Sequence, residues 1–133
     1  MKRILPALLF MALCLIISKN TYAQEVKKDT SVYTFVEKMP QYPGGEDALM
    51  KYLAININYP SDSKDSGVQG TVYASFIVEK DGSITNVKIL RSLSNSCDKE
   101  VIQVIKAMPN WKPGEQGGKP ARVQFNLPVK FKQ

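Results

Sequence analysis

The sequence predicts an α+β domain in which a three-stranded antiparallel sheet packs on two helices and the last strand lies at an edge. Three observations predict it. Ala121, Val123, Phe125, Leu127, Val129 and Phe131 alternate with Arg122, Gln124, Asn126 and Lys130, which is the period of a half-buried strand. Upstream, Val72, Ala74, Phe76 and Val78 share one face of a second strand, which Lys80-Asp81-Gly82-Ser83 turns back into a third. Two stretches, one opening at Glu46 and one after Ser94-Asn95-Ser96, carry apolar residues at helical spacing.

In chain order, Lys2 and Arg3 precede an apolar run from Ile4 to Ile17 and a polar stretch to Thr21-Tyr22-Ala23, the layout of a secretory signal peptide over residues 1–23. The run is shorter than the ~20 residues that cross a bilayer as a helix, so cleavage after Ala23 is expected and a retained inner-membrane anchor is the alternative. Cys14 follows Leu13, where a lipoprotein signal would have a small residue, so lipidation is not expected. Residues 24–43 form a charged leader in which β-branched and aromatic Val32 to Val36 could make a short strand before Met39-Pro40 and Tyr42-Pro43-Gly44-Gly45 break regular structure.

The expected domain is 44–133. Glu46 and Asp47 oppose the positive end of a helix dipole, and Leu49, Tyr52 and Leu53 continue that helix to about Asn56. Ser61 to Gly70 is polar and reads as a loop. Thr71 to Glu79 is the first long strand and Ile84 to Leu90 its return, whose apolar set changes phase near Thr85-Asn86 and so predicts a bulge there. Cys97, Val101, Val104, Ile105 and Met108 make the buried stripe of the second helix, which Pro109 stops. Trp111-Lys112-Pro113-Gly114 and Gly117-Gly118 link it to the last strand. Pro128 has no amide hydrogen to give a neighbour, which places that strand at an edge. An open edge has two readings: a module that binds peptides by strand addition, or an ordinary edge that merely stays soluble.

Composition excludes several functions. The whole chain carries +6, but residues 1–23 hold Lys2, Arg3, Lys19 and no acid, so the remainder carries only +3, without the basic stripe that nucleic-acid binding requires. Cys97 is the one thiol after Ala23, so no intramolecular disulfide is expected; a buried, unreactive state suits its place on the apolar stripe. The chain has no histidine, the commonest general base and metal ligand, so neither catalytic residues, metal ligands nor a cofactor are expected. Asp81 is accounted for by its turn. Gly114, Gly117 and Gly118 lack the lysine and hydroxyl residue of a phosphate loop.

The succession Tyr59-Pro60, Gly67, Gln69-Gly70, Phe76, Val78, Asp81-Gly82, Asn86-Val87, Ile89-Leu90, Trp111, Pro113-Gly114 and the final strand resembles the C-terminal domain of TonB-type energy transducers, over Asn58 to Phe131. The stretch Met39-Pro40-Gln41-Tyr42-Pro43-Gly44-Gly45-Glu46 with Ala48-Leu49 resembles an extension found in one branch of that family. The resemblance implies a periplasmic domain that takes the TonB box of an outer-membrane transporter as an added strand. Full family members also join an inner-membrane motor complex and span the periplasm with a proline-rich linker. This chain has a cleavable-signal pattern in place of the anchor and no proline-rich spacer. The implied function is therefore energy-coupled transmembrane transport through peptide binding, with a soluble periplasmic adaptor or competitor as the alternative. Self-association into a homodimer through the edge is a further reading.

The expected binding residues follow in two groups. The backbone of Arg122, Val123, Gln124, Phe125, Asn126 and Leu127 would pair with the partner strand, and the side chains of Arg122, Gln124 and Asn126 would select among sequences; the plain alternative is a solvated strand face. Asn58, Tyr59 and Pro60 enter through the resemblance, as the family segment that lies close to the box peptide. For Tyr59 and Pro60 the plain alternative is packing on the sheet and stopping a helix. Trp111 reads as a core anchor.

Overall fold

The computed structural model describes residues 31–133; the expected signal peptide and the first part of the leader lie outside the described residues. The elements are β1 (Val32–Tyr33), α1 (Glu46–Asn56), α2 (Ser61–Asp65), β2 (Gly70–Val78), β3 (Ile84–Arg91), α3 (Asn95–Lys106), β4 (Gly114–Gln116) and β5 (Lys119–Phe131). Among these residues no helix is long and apolar enough to cross a membrane.

The antiparallel core of three long strands is as expected, and two short strands enlarge it. The order is β1-β5-β2-β3, with β4 paired to β5 off this path. β2 and β5 pair without interruption from Gly70↔Phe131 to Val78↔Val123. The first strand, expected over Val32 to Val36, is confined to Val32–Tyr33 and runs parallel to Arg122–Val123. The Trp111–Gly118 link contains β4, because Gly117 and Gly118 both take the positive φ (60° and 75°) that a two-residue hairpin turn needs. The expected loop at Ser61 to Gly70 contains α2, entered from Pro60 at its N-cap.

β2 and β3 close on the Lys80–Ser83 turn, where the Glu79 amide donates to the Ser83 carbonyl at 2.9 Å and the Asp81 carboxylate accepts from the Ser83 amide and hydroxyl. The predicted bulge is present: Ser75 opposes Lys88 but Ile77 opposes Thr85, so β3 holds one residue more than β2 there, with Asn86 at φ 53°.

Odd-numbered residues of β5 and even-numbered residues of β2 face the helices. Val72, Ala74, Phe76, Val78, Leu127, Val129 and Phe131 meet Leu49 and Leu53 of α1 and Cys97, Val101, Val104 and Ile105 of α3 in the main core. The Ser94 side chain caps α3 by accepting from the Cys97 amide at 3.2 Å, and Cys97 is fully buried. Trp111 is 3% exposed and sits edge-on among Phe125 (5.0 Å between centroids), Phe76 (5.2 Å) and Tyr42 (5.8 Å). It is the expected core anchor.

Two contacts fix the turn end of the sheet. The Trp111 amide donates to the Gly82 carbonyl at 2.8 Å, and a Cβ on Gly82 would lie 2.1 Å from the Trp111 carbonyl oxygen. Nearby, Arg122 Nε donates to Glu79 Oε1 at 2.6 Å and Nη2 to Oε2 at 3.2 Å, bridging β5 to the end of β2. That guanidinium, helped by the Thr85 hydroxyl, holds the Glu79 carboxyl below the usual carboxylate range.

Gly82→Ala combines a backbone clash with a left-handed φ of +88° and should cost at least about 2 kcal/mol in urea unfolding, whereas Gly67→Ala, with φ +73° but open space around it, should cost only about 1 kcal/mol. Equal losses would show that the close approach of Trp111 is unimportant. A carboxyl with a depressed native pKa stabilises the fold fully above the ordinary carboxylate value of ~4.3 and loses that stabilisation as pH falls through its native value. Glu79→Gln should therefore lower the unfolding midpoint near neutral pH and make its decline toward about pH 3 shallower than in the unaltered chain.

Candidate functional site

β5 is flanked differently along its two halves. At its start β4 pairs with Lys119 to Ala121 and β1 with Arg122 and Val123. From Phe125 to Phe131, among the described residues, the side of β5 away from β2 has no strand partner. The edge is thus real but shorter than the sequence implied, because β1 already occupies the positions of Arg122 and Val123.

Pro128 fixes which backbone groups this edge offers. Opposite residues of an antiparallel pair alternately exchange two hydrogen bonds and none. Pro128 opposes Tyr73, and it costs the ladder nothing only in the phase where its own backbone faces away from β2. In that phase the backbone groups of Gln124 and Asn126 also face outward, the Gln124 amide toward Tyr33 of β1 and those of Asn126 into the open, while Phe125 and Leu127 bond to β2.

Alongside the open stretch runs a groove walled by α1. One cleft of about 540 Å³ lies between Met50, Leu53, Ala54 and Ile57 of the first helix and its exit, Tyr59, and Pro128 to Lys132. A second, of about 420 Å³, lies between Met39 to Tyr42, Glu46, Leu49, Met50 and Trp111 on one side and Phe125 to Pro128 on the other. Met50 and Pro128 line both. The groove exists because α1 is seated on the core at only a few points, Leu49, Leu53 and the Tyr52 hydroxyl, which donates to the Val104 carbonyl at 2.9 Å. Burial holds the Tyr52 hydroxyl above its ordinary pKa. Met50 stays 46% exposed on the groove wall. Lys130 and Lys132 stand at one end and Glu46 at the other.

The expected site residues separate under this geometry. Phe125, Asn126 and Leu127 lie on the open stretch and line the second cleft, and Gln124 stands at its border with β1. Arg122 lies beside β1 rather than on the open stretch, and its guanidinium is engaged with Glu79. Gln124 and Asn126 bond weakly to each other through Nε2 and Oδ1 at 3.4 Å on the face opposite the helices, beside Ile77 and Ser75, which they help to cover. Tyr59 lines the first cleft, packs on Phe131 at 5.5 Å and donates its hydroxyl to the Val68 carbonyl. Asn58 is exposed and gives its amide to Glu100 at 2.9 Å, and Pro60 precedes α2. Tyr59 thus packs on the sheet as its plain alternative had it, whereas α1 already ends at Asn56, and Pro60 opens α2 and does not stop α1.

Sequence reasoning missed the helix wall. Its signal was an excess of apolar positions: Met50, Ala54 and Ile57 widen the stripe beyond the Leu49 and Leu53 that reach the core. Nothing gathers for metal chemistry, since among the described residues no three His, Cys, Asp or Glu side chains cluster.

Residues 55–133 match the family model of the Gram-negative bacterial TonB protein C-terminal domain. Among solved structures, the solution structure of the Helicobacter pylori TonB C-terminal domain comprising that protein's residues 194–285 is 21% identical, with a TM-score of 0.49 over 65% of this chain and 90% of that one. A longer form, residues 179–285, is 20% identical with a TM-score of 0.49 over 68% and 86%. No curated protein matches the chain. The family match covers more than half of the chain and takes in every element from α2 to β5, so the chain belongs to the TonB C-terminal domain family, a non-enzymatic group of protein-interaction domains of TonB-dependent transport.

Proposed function

We propose that this domain works in the periplasm and engages TonB-box-like segments of outer-membrane transporters, taking the segment as an added strand along β5 from Phe125 onward. The observation that supports this reading most is the unpaired outer edge of Phe125 to Phe131 beside an apolar groove. Main-chain hydrogen bonds would supply affinity without regard to sequence, and the groove would receive every second side chain of the partner. The short β1 sets the boundary, because a partner running past Gln124 toward Arg122 must displace it.

In this reading the N-terminal residues decide the mechanical role. Retained as an anchor, they would let the chain join a motor complex in the inner membrane and pull. Removed as a signal peptide, they leave a soluble adaptor or competitor that binds the same segments. Membrane fractionation and protease accessibility of the exported chain distinguish the two.

Asn126→Pro removes an outward amide that no strand of the free chain pairs, while sparing the bonds to β2 and the Gln124 amide that serves β1. It should weaken binding of a transporter-derived peptide by about tenfold and lower unfolding stability by less than about 1 kcal/mol. Isothermal titration and urea unfolding on the same samples check this. Unchanged affinity, or a loss of affinity no larger than the loss of stability, would place the binding site elsewhere.

A further inference from the structure

We infer that the sheet face opposite the helices is a peripheral docking surface for an anionic phospholipid bilayer. Lys88, Arg91 and Lys130 meet the headgroups there, and Tyr73 and Leu90 enter the interface between them. The inference goes beyond strand addition and does not depend on it.

Register assembles the patch. Tyr73 opposes Arg91 on β3, Ser75 opposes Lys88, and Thr71 opposes Lys130 on β5, so these side chains share the face that α1 and α3 leave uncovered. Leu90 is the extra residue where β3 bulges beside the Tyr73–Arg91 pair, and it is 55% exposed. Tyr73 is 41% exposed, with the Arg91 guanidinium 5.9 Å from its ring centre. Two large apolar side chains thus stand at the surface among three exposed cations. Such a combination marks an interaction surface more than a merely solvated one.

Charge narrows the partner. The three long strands contain no acidic residue at all, and Glu79, just beyond β2, is already held by Arg122. Among the described residues, Lys88, Arg91 and Lys130 take part in no ion pair. The helical side has the opposite balance, since α1, α2 and α3 carry six acids against four lysines. One face is therefore positive and the other weakly negative. A soluble acidic partner would complement the cations alone, whereas an anionic bilayer complements them and also receives the Tyr73 ring and the Leu90 side chain below the headgroups. The open edge of β5 lies in the plane of the sheet. Docked on this face, the domain keeps its groove turned away from the lipid and its edge free for a strand.

The chain purified from the soluble periplasmic fraction is floated with vesicles of equimolar phosphatidylcholine and phosphatidylglycerol, and with vesicles of phosphatidylcholine alone. The expected result is binding to the mixed vesicles that salt weakens, and little to the neutral ones. Replacing Lys88, Arg91 and Lys130 by Gln should each lower the partition coefficient about three- to fivefold, and all three together about thirtyfold or more. Leu90→Ser should lower it about threefold. The charge-matched triple Lys51→Gln, Lys99→Gln and Lys106→Gln on α1 and α3 should change it less than about twofold. All seven positions are exposed, so the variants keep the packed core. No binding to the mixed vesicles, equal binding to both kinds, or equal losses from the two triples would overturn the inference. So would an unaltered partition of Leu90→Ser. Binding to soluble heparin through the same three cations, without binding to vesicles, would assign the face to an acidic polymer and also overturn the bilayer assignment.

Discussion

The unbroken pairing of β2 with β5 is the constraint on which the rest of the molecule depends. Nine successive residue pairs, Gly70↔Phe131 through Val78↔Val123, lock one register. Because side chains alternate across a strand, a slip by one residue would turn Val123, Leu127, Val129 and Phe131 out to water and bring Lys130 into the core. The same register fixes the position of Pro128 opposite Tyr73, and with it the identity of the backbone groups that face outward. The edge is therefore a consequence of how the core is packed.

The neighbourhood of Trp111 converts that edge into a groove. The indole touches rings from three separate parts of the chain, Tyr42 before α1, Phe76 on β2 and Phe125 on β5. Tyr42 in turn meets Tyr52 at 5.5 Å, so the aromatic chain ties α1 to the sheet near one end. Backbone hydrogen bonds between Gln41 and Lys112, at 3.0 and 2.8 Å, hold the approach to α1 in place. The helix is thus pinned above β5 without being laid against it along its length. What remains between them is apolar and accessible, and large exposed side chains such as Met50 on its wall are what a partner-binding surface needs.

Much of this was legible in the sequence because the informative residues act locally. Alternation in Ala121 to Phe131, the Lys80–Ser83 turn, the phase change at Asn86 and the serine cap before Cys97 each depend on neighbours a few positions away. The details that escaped depend on distant partners. The short strand expected over Val32 to Val36 forms only at Val32–Tyr33 and runs parallel to β5, where Val36 and Tyr33 pack on Ala121 and Val123, and its own residues carry no pattern that names this partner. The Arg122–Glu79 pair joins residues whose sequence separation hides it, and it occupies a guanidinium that alternation alone had left to solvent or a partner. Likewise Pro128 announced an edge, but only the register showed that the open edge begins beyond the Gln124 amide, at Phe125.

Amide hydrogen exchange, residue by residue along β5, tests the central claim most directly. In the free chain the account predicts fast exchange at Asn126, whose amide faces away from β2 beyond the end of β1, and slow exchange at Phe125 and Leu127, whose amides bond to β2. Saturating transporter-derived peptide should slow Asn126 and leave the other pair as they were. Slow exchange at Asn126 in the free chain, or no change with any peptide, would contradict the claim that this edge is open and receives a strand.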